Sequence, residues 1–336
     1  MADSIFSTST MADHVAKTFH VMVPKLLNRA APLLAVLPKR AIRDITYNWT
    51  CETNGQTPAI ISQGGAYADS TFDQLITPSM TLYQVGTTFS ITDIARAVSV
   101  EPPVNQFVSL LGNAVAATVG NGSASIGYYM VSGTGSSQPA GLEYVISESN
   151  TSYGIDQSSV TSFAGNEVNC SGGALTEKLV MQGFTEVMEK SGGRPDILAC
   201  SPKSEQYLAE LGLNRMRLTE TSEVHTFGGS IKLGYKTVQF NGVPVIADQS
   251  IPDGYIYGLD SSAVEFVYLP PVAANADEYV IDAGMDERTM VQGIPFLLRK
   301  VPTTTTAAKY GITSTGALRV GEPGRCFKVW NFVEPS

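Results

Sequence analysis

Charge is what this sequence has least of. Charged residues make up 16% of its 336 positions, against roughly a quarter in ordinary soluble domains. A surface so poorly charged belongs to a chain that packs deeply or that covers itself with copies of itself. Histidine is scarcer still: His14, His20 and His225 are the only three, and none stands beside a cysteine, so the ligand spacing of a metal site is missing. The four cysteines (Cys51, Cys170, Cys200, Cys326) lie far apart without a Cys-x-x-Cys pair and read as reduced, mostly buried thiols. No apolar run approaches the ~18 residues of a membrane helix. The stretch from Met22 to Leu37 is broken by Lys25, Arg29 and two prolines. The acidic start lacks a cleavable apolar core, so a secretory signal is not expected.

Reacting constellations are absent too. Gly120-Asn-Gly122 and Gly133-Thr-Gly135 lack the lysine and the preceding strand of a phosphate cradle. No Gly-x-Ser-x-Gly elbow occurs between a strand and a helix. Glu186 and Glu189 fall on the exposed side of a helix. No enzymatic activity, catalytic residue, cofactor or metal is therefore expected.

Cations are also missing by region. No lysine occurs between Lys39 and Lys178, and neither lysine nor arginine between Asp44 and Thr92. Residues 1–43 carry six cations against Asp3 and Asp13, a net +4 within a chain of net charge −9, which leaves −13 on the rest. A basic arm on an acidic body excludes an overall basic face for nucleic acid.

The elements that are present follow in a recognisable order. Residues 1–43 read as an arm with one short helix, interrupted by Pro24, Pro32 and Pro38. Its leucines, Leu26 to Leu37, need an apolar partner that no neighbouring segment offers. Ile45, Tyr47, Trp49 and Cys51 alternate, as do Tyr83, Val85, Thr87, Phe89 and Ile91, the period of strands. Some thirty residues rich in Gly, Ser, Thr and Gln, including Gly64-Gly65, separate them. Loops of that length are commonly functional, so the whole reads as a long hairpin reaching away from its own domain. Val104, Phe107, Val108, Leu111, Ala114, Val115 and Val119 form the apolar stripe of a helix over 101–120. From about residue 165 helices and strands alternate. Leu175–Lys190 is a helix with Leu179, Phe184, Val187 and Met188 inward, closed by Gly192-Gly193. Ile197–Cys200 is a buried strand, and Pro202–Leu211 a helix capped by Ser201. Val243–Ala247, Tyr255–Leu259 and Val264–Leu269 are short strands. Pro323-Gly324 is expected to turn a final hairpin between Ala317 and Phe332.

Three stretches carry a resemblance: the helix running into Gly133-Thr-Gly-Ser-Ser-Gln-Pro139-Ala-Gly141-Leu142; Arg194-Pro-Asp196-Ile-Leu-Ala-Cys-Ser201-Pro202 with its helix; and Gly242-Val-Pro244-Val-Ile-Ala247 followed by Ile251-Pro-Asp-Gly254. In this order the chain resembles, over nearly its whole length, the major capsid proteins of tailed double-stranded DNA phages, whose fold is shared with encapsulins and the herpesvirus capsid floor. The resemblance implies an α+β tailed-phage major capsid fold. Its parts are an N-terminal arm (1–43), an extended β-hairpin loop (44–92), a peripheral domain with a long spine helix (93–165), an axial α/β domain (166–275) and a return to the antiparallel peripheral sheet (276–336).

The implied function is structural: an icosahedral shell around a double-stranded DNA genome, located in the virion and assembled in the host cytoplasm. The implied partners are the chain itself in hexamers and pentamers, a portal protein, a separate scaffolding protein in place of a fused scaffold segment, an optional cement or decoration protein, and packaged DNA bound without sequence specificity; no membrane is involved. The expected inter-subunit contacts are Leu26, Leu27, Leu33, Leu34, Tyr47, Trp49, Tyr83 and Phe89. Some relatives weld their shells by an isopeptide bond from a hairpin lysine to a neighbour's asparagine. This hairpin has no lysine, so a noncovalent shell is expected. An encapsulin-like cage and an extracellular β-rich surface protein are the alternatives.

Overall fold

The computed structural model describes residue 18 and residues 22–52, 75–92, 103–120, 122–213, 219–226, 229–275, 278–281, 291–302 and 307–333. Two sheets organise it. The first has six strands, with Lys39–Ala41, Val264–Leu269, Ala307–Val320, Phe296–Val301 and Glu278–Ile281 as successive neighbours. Its long central strand Ala307–Val320 also pairs along its other edge with Tyr83–Thr92, antiparallel from Thr92↔Ala307 to Tyr83↔Gly316. The second sheet has seven strands in the order Thr219–Thr226, Gly229–Phe240, Val243–Ala247, Ile197–Cys200, Tyr255–Leu259, Phe327–Trp330 and Asn166–Asn169.

Ile197–Cys200 shows why a run of four apolar residues becomes a strand. All four are fully buried, and the two faces enter different cores. Leu198 and Cys200 join Val180, Phe184, Val187 and Leu208 of the helices Glu177–Ser191 and Pro202–Leu213. Ile197 and Ala199 join the main core with the N-terminal helices. A strand covered on both faces needs no polar alternation. Capping proceeds as the residues predict: Gly192 takes the left-handed conformation at φ 65°, and Ser201 Oγ accepts the Ser204 N–H at 3.2 Å. Met188 departs from the expected inward face and is 57% exposed. The buried stripe of that helix is Val180, Gly183, Phe184 and Val187, and position 188 has already rotated off it.

The spine helix runs Pro103–Val119. Phe107 meets Tyr310 edge-on at 5.2 Å and Phe89 at 5.7 Å, which ties the helix to the two longest strands of the first sheet. The N-terminal helix 22–30 lies beside it. A Cβ at Gly112 would come within 2.7 Å of Met22 Cε, while Gly120 faces Ala30. The offset is the same at both points, so the helices run parallel, and the glycine lets them approach.

Three expectations are corrected. The strand Tyr83–Thr92 is not the return arm of the hairpin; it belongs to the subunit's own sheet. The hairpin pairing is made instead by Thr46–Asn48 with Ser79–Thr81 and by Cys51–Glu52 with Leu75–Ile76, while the loop 53–74, with Gly64-Gly65, lies outside the described residues. Pro323-Gly324 does not close a hairpin either. The single 3-10 turn Pro323–Arg325 carries the chain from Ala307–Val320 in one sheet to Phe327–Trp330 in the other. Finally, the linear boundary at 275/276 is crossed twice. Val264–Leu269 pairs in the first sheet with Ala307–Val320, and Phe327–Trp330 pairs in the second with Tyr255–Leu259.

Candidate assembly surface

The arm leucines do not wait for a neighbour. Leu27, Leu33 and Leu34 are buried in the subunit's own core, so the expectation that they are unburied is corrected. The helix Pro32–Val36 packs on Val243–Ala247, and the Leu33 N–H donates to Asp248 Oδ2 at 3.0 Å across 215 positions of sequence. Asp248 accepts the Ser250 N–H as well, at 2.8 Å. Burial pushes the Asp248 carboxyl up, against the pull of these N–H donors. Leu26 is half-buried and packs on the edge of the same core.

Lys39 follows directly. Its ammonium donates to the carbonyls of Ala35 at 3.2 Å and Leu37 at 3.3 Å, closing the end of the helix as cations do at helix C-termini. Desolvation lowers its pKa to about 7. Between that value and the ordinary lysine range the unfolded chain holds a proton the folded chain has lost, so folding stability rises with pH there. The desolvation cost is present in full below about pH 7. Lys39→Met is expected to remove this rise. Urea unfolding of dissociated subunits at pH 6, 7.5 and 9 checks it, and an unchanged pH slope in the variant would refute it.

The hairpin leaves the body from an aromatic clamp. Trp49 Nε1 and Cys51 Sγ both donate to the Gly321 carbonyl, each at 3.1 Å. Trp49 meets Tyr153 edge-on at 5.0 Å and stacks near Tyr47 at 5.9 Å. The Arg319 guanidinium lies 4.8 Å from the Trp49 ring and 5.5 Å from that of Tyr47, and Arg319 pairs with Glu265. Arg40 reaches the same carboxylate at 3.3 Å and the Tyr47 hydroxyl at 2.7 Å. A cation held between an aromatic wall and a half-buried carboxylate fixes the angle at which the hairpin departs. Tyr153 completes the clamp: its hydroxyl donates to the Leu318 carbonyl at 2.9 Å and accepts the Val320 N–H at 3.1 Å. Tyr83–Thr92 stops at Gly316, and this phenol serves the next two backbone groups of the long strand.

Of the expected contact residues, the structure therefore brings Tyr47 and Trp49 into one cluster. Phe89 lies elsewhere, half-buried and stacked on Tyr310 at 5.5 Å, and Tyr83 is half-buried at the start of its strand. Arg319, Glu265 and Tyr153 escaped the sequence reading because their partners are distant in the chain. Among the described residues no group of three His, Cys, Asp or Glu could hold a metal, and no helix is long and apolar enough to cross a membrane. All four cysteines are free.

The profile of the SU10 major capsid protein family matches residues 85–331. The chain belongs to that family. It is a structural capsid-shell protein, and its place is the virion. No curated protein matches it in sequence. Among solved structures it is similar to the capsid of cyanophage A-1(L), with TM-score 0.67 and 15% identity over 90% of this chain and 93% of that one. It is also similar to the holo-SrpI encapsulin complex of Synechococcus elongatus, with TM-score 0.58 and 14% identity over 90% and 88%. A Mycobacterium phage Bobi structure gives TM-score 0.54 and 11% identity over 90% of each chain. Such identities show the shared tailed-phage capsid fold alone; the family match separates a capsid subunit from an encapsulin cage.

Proposed function

We propose that this capsid subunit assembles as hexamers and pentamers into an icosahedral shell around the double-stranded DNA of a tailed phage, held by noncovalent contacts. The family match over 85–331 carries the reading. Assembly takes place in the host cytoplasm with a separate scaffolding protein and a portal, with room for a cement protein, and the chain has no enzymatic step of its own. The five-part division from arm to peripheral sheet is proposed with two changes: the hairpin ends before Tyr83–Thr92, and the last two parts exchange strands. Neighbour contacts by the edges that Leu26, Tyr47 and Tyr83 leave half-buried are proposed as well.

The noncovalent character rests on charge. With no lysine between Lys39 and Lys178, the hairpin supplies no amine for a cross-link. Many modest interfaces acting together hold the shell through effective concentration. Mature particles boiled in detergent are expected to give one band near 35.8 kDa, and a ladder of covalent oligomers would contradict this. Electron microscopy of the particles tests the rest: DNA-filled icosahedral shells are expected, and protein-loaded cages or lone monomers would overturn it.

A further inference from the structure

An open cleft of about 440 Å³ lies where the helix Leu142–Val145 meets the second sheet, walled by Tyr144, Tyr255 and Trp330 and rimmed by Ser132, Ser149 and Asn150. The register sets it out. Tyr255 lies across from Trp330, and Tyr257 across from Lys328, which in turn lies across from Glu167. Side chains two apart on a strand share a face, so both rows project from the same side of the sheet. Lys328 holds the two walls together. Its side chain is 7% exposed, and its ammonium donates to Glu167 Oε1 at 3.0 Å and to the Glu143 carbonyl at 3.1 Å. The cleft is therefore formed before anything enters it, which spares a ligand the cost of ordering its walls.

The polar groups left over there are of both kinds. Glu143 makes no ion pair among the described residues, and its carboxylate meets the Tyr255 hydroxyl at a long 3.4 Å. Two donors lack partners: the covered indole N–H of Trp330 and the hydroxyl of Tyr257. Tyr257 is fully buried, with its ring stacked on that of Tyr255 at 6.2 Å. Buried polar groups without partners are rare and call for an explanation. A cation would serve the acceptor alone. An anion would serve the donors alone and would need Lys328, which Glu167 already engages. A hydroxyl donates and accepts at once. The half-buried rings of Tyr144, Tyr255 and Trp330 add apolar faces with polar tips, which suit a flat ligand with C–H bonds on one face and hydroxyls at its edge.

We propose that this cleft binds a neutral saccharide, with the C–H face of the sugar on Tyr255 and Trp330 and its hydroxyls shared among Glu143, Ser149 and Asn150. The site is a property of the subunit and goes beyond the shell reading. One small sugar held by a few hydrogen bonds is expected to bind with a Kd of about 1 mM. A shell repeats the site in every subunit, so a surface carrying many copies of the sugar is held far more tightly than a single site holds one.

The test titrates glucose, galactose, mannose and N-acetylglucosamine into the full-length chain, as dissociated subunits and as shells, and follows tryptophan emission. Trp330 is one of only two tryptophans, and the other, Trp49, sits in the hairpin clamp. At least one sugar is expected to give a saturable change at millimolar concentration, in subunits and shells alike. Trp330→Phe is expected to abolish the change. Glu143→Ala is expected to weaken binding at least about tenfold, as loss of a hydrogen bond to a charged group does. Saturation-transfer NMR on the unchanged chain depends on no variant: irradiating aromatic protons is expected to mark the C–H protons of the bound sugar. No response to any of the four sugars overturns the proposal, as does an equal response to glycerol, putrescine or inorganic phosphate. So does full affinity in Glu143→Ala, or an absence of saturation transfer. Binding by subunits that shells lack means that a neighbour covers the cleft, and overturns it too. None of these outcomes touches the shell reading, which fails only if the unchanged chain forms no shells.

Discussion

Phe327→Ala is expected to destabilise the subunit by about 3–5 kcal/mol, the range for deleting a buried phenylalanine. Phe327 is fully buried. Its ring meets Phe184 edge-on at 5.1 Å, and it lies in the core that holds the helix Glu177–Ser191 against the second sheet. The cavity cannot refill easily, because two of the elements against the ring present glycines, which have no side chain to move into it. A Cβ built on Gly183 or on Gly258 would run into the Phe327 ring. One glycine is in the helix and the other in the strand Tyr255–Leu259, so the ring is clasped from two elements. Phe327 is also the cross-strand partner of Gly258 and of Asn166.

The clasp makes a second, sharper test. Gly258→Ala alone is expected to cost about 1–3 kcal/mol by overpacking. Added to a Phe327→Leu background it should cost much less, with a coupling of about 0.5–3 kcal/mol between the two sites. Urea unfolding of dissociated subunits measures both, provided the slope with denaturant is unchanged. Strictly additive costs would mean that the helix shifts to admit the methyl, and the clasp would then not hold the ring.

What the sequence made legible follows from the range of the forces involved. Ile197–Cys200, Val243–Ala247, Tyr255–Leu259 and Val264–Leu269 are found at the bounds read from the sequence, because an apolar run between turn residues is a local signal. The helices Glu177–Ser191 and Pro202–Leu213 differ from their expected spans only at the ends, where caps and fraying decide. Pairing is not local. Alternation in Tyr83–Thr92 specifies a strand but leaves its partner open, and that partner is more than two hundred residues away. The same limit explains the arm: the pattern Leu26 to Leu37 demands burial without saying against what, and the answer was Val243–Ala247 and Asp248. Pro323-Gly324 signals a reversal, yet periodicity cannot tell a hairpin from a step between sheets. Of the clamp, Tyr47, Trp49 and Cys51 were legible, through their alternation. Tyr153 had no periodic signal, since it lies in a turn at φ 53°.

That residue carries the other large effect. Tyr153→Phe removes a single oxygen and is expected to leave two backbone groups of Ala307–Val320 without partners. The Leu318 carbonyl would lose its donor and the Val320 N–H its acceptor, at about 1–3 kcal/mol for each orphaned buried group. Water cannot readily substitute, because Tyr153, Leu318 and Val320 are all buried. Burial also pushes the phenol pKa up, so it stays a neutral donor well into the alkaline range. Tyr144→Phe is the matched control, since its hydroxyl donates to the Thr151 carbonyl at 3.0 Å on the surface, where a loss within about 0.5 kcal/mol is expected. Hydrogen exchange at the Val320 amide should speed up in the Tyr153 variant and stay unchanged in the control. Because Trp49 packs on the same ring and bonds to Gly321, loosening that end of the strand also loosens the root of the hairpin. Equal melting of Tyr153→Phe and the parent, with Val320 still protected, would show that the phenol does not hold this ladder and that the clamp rests on Trp49 and Arg319 alone.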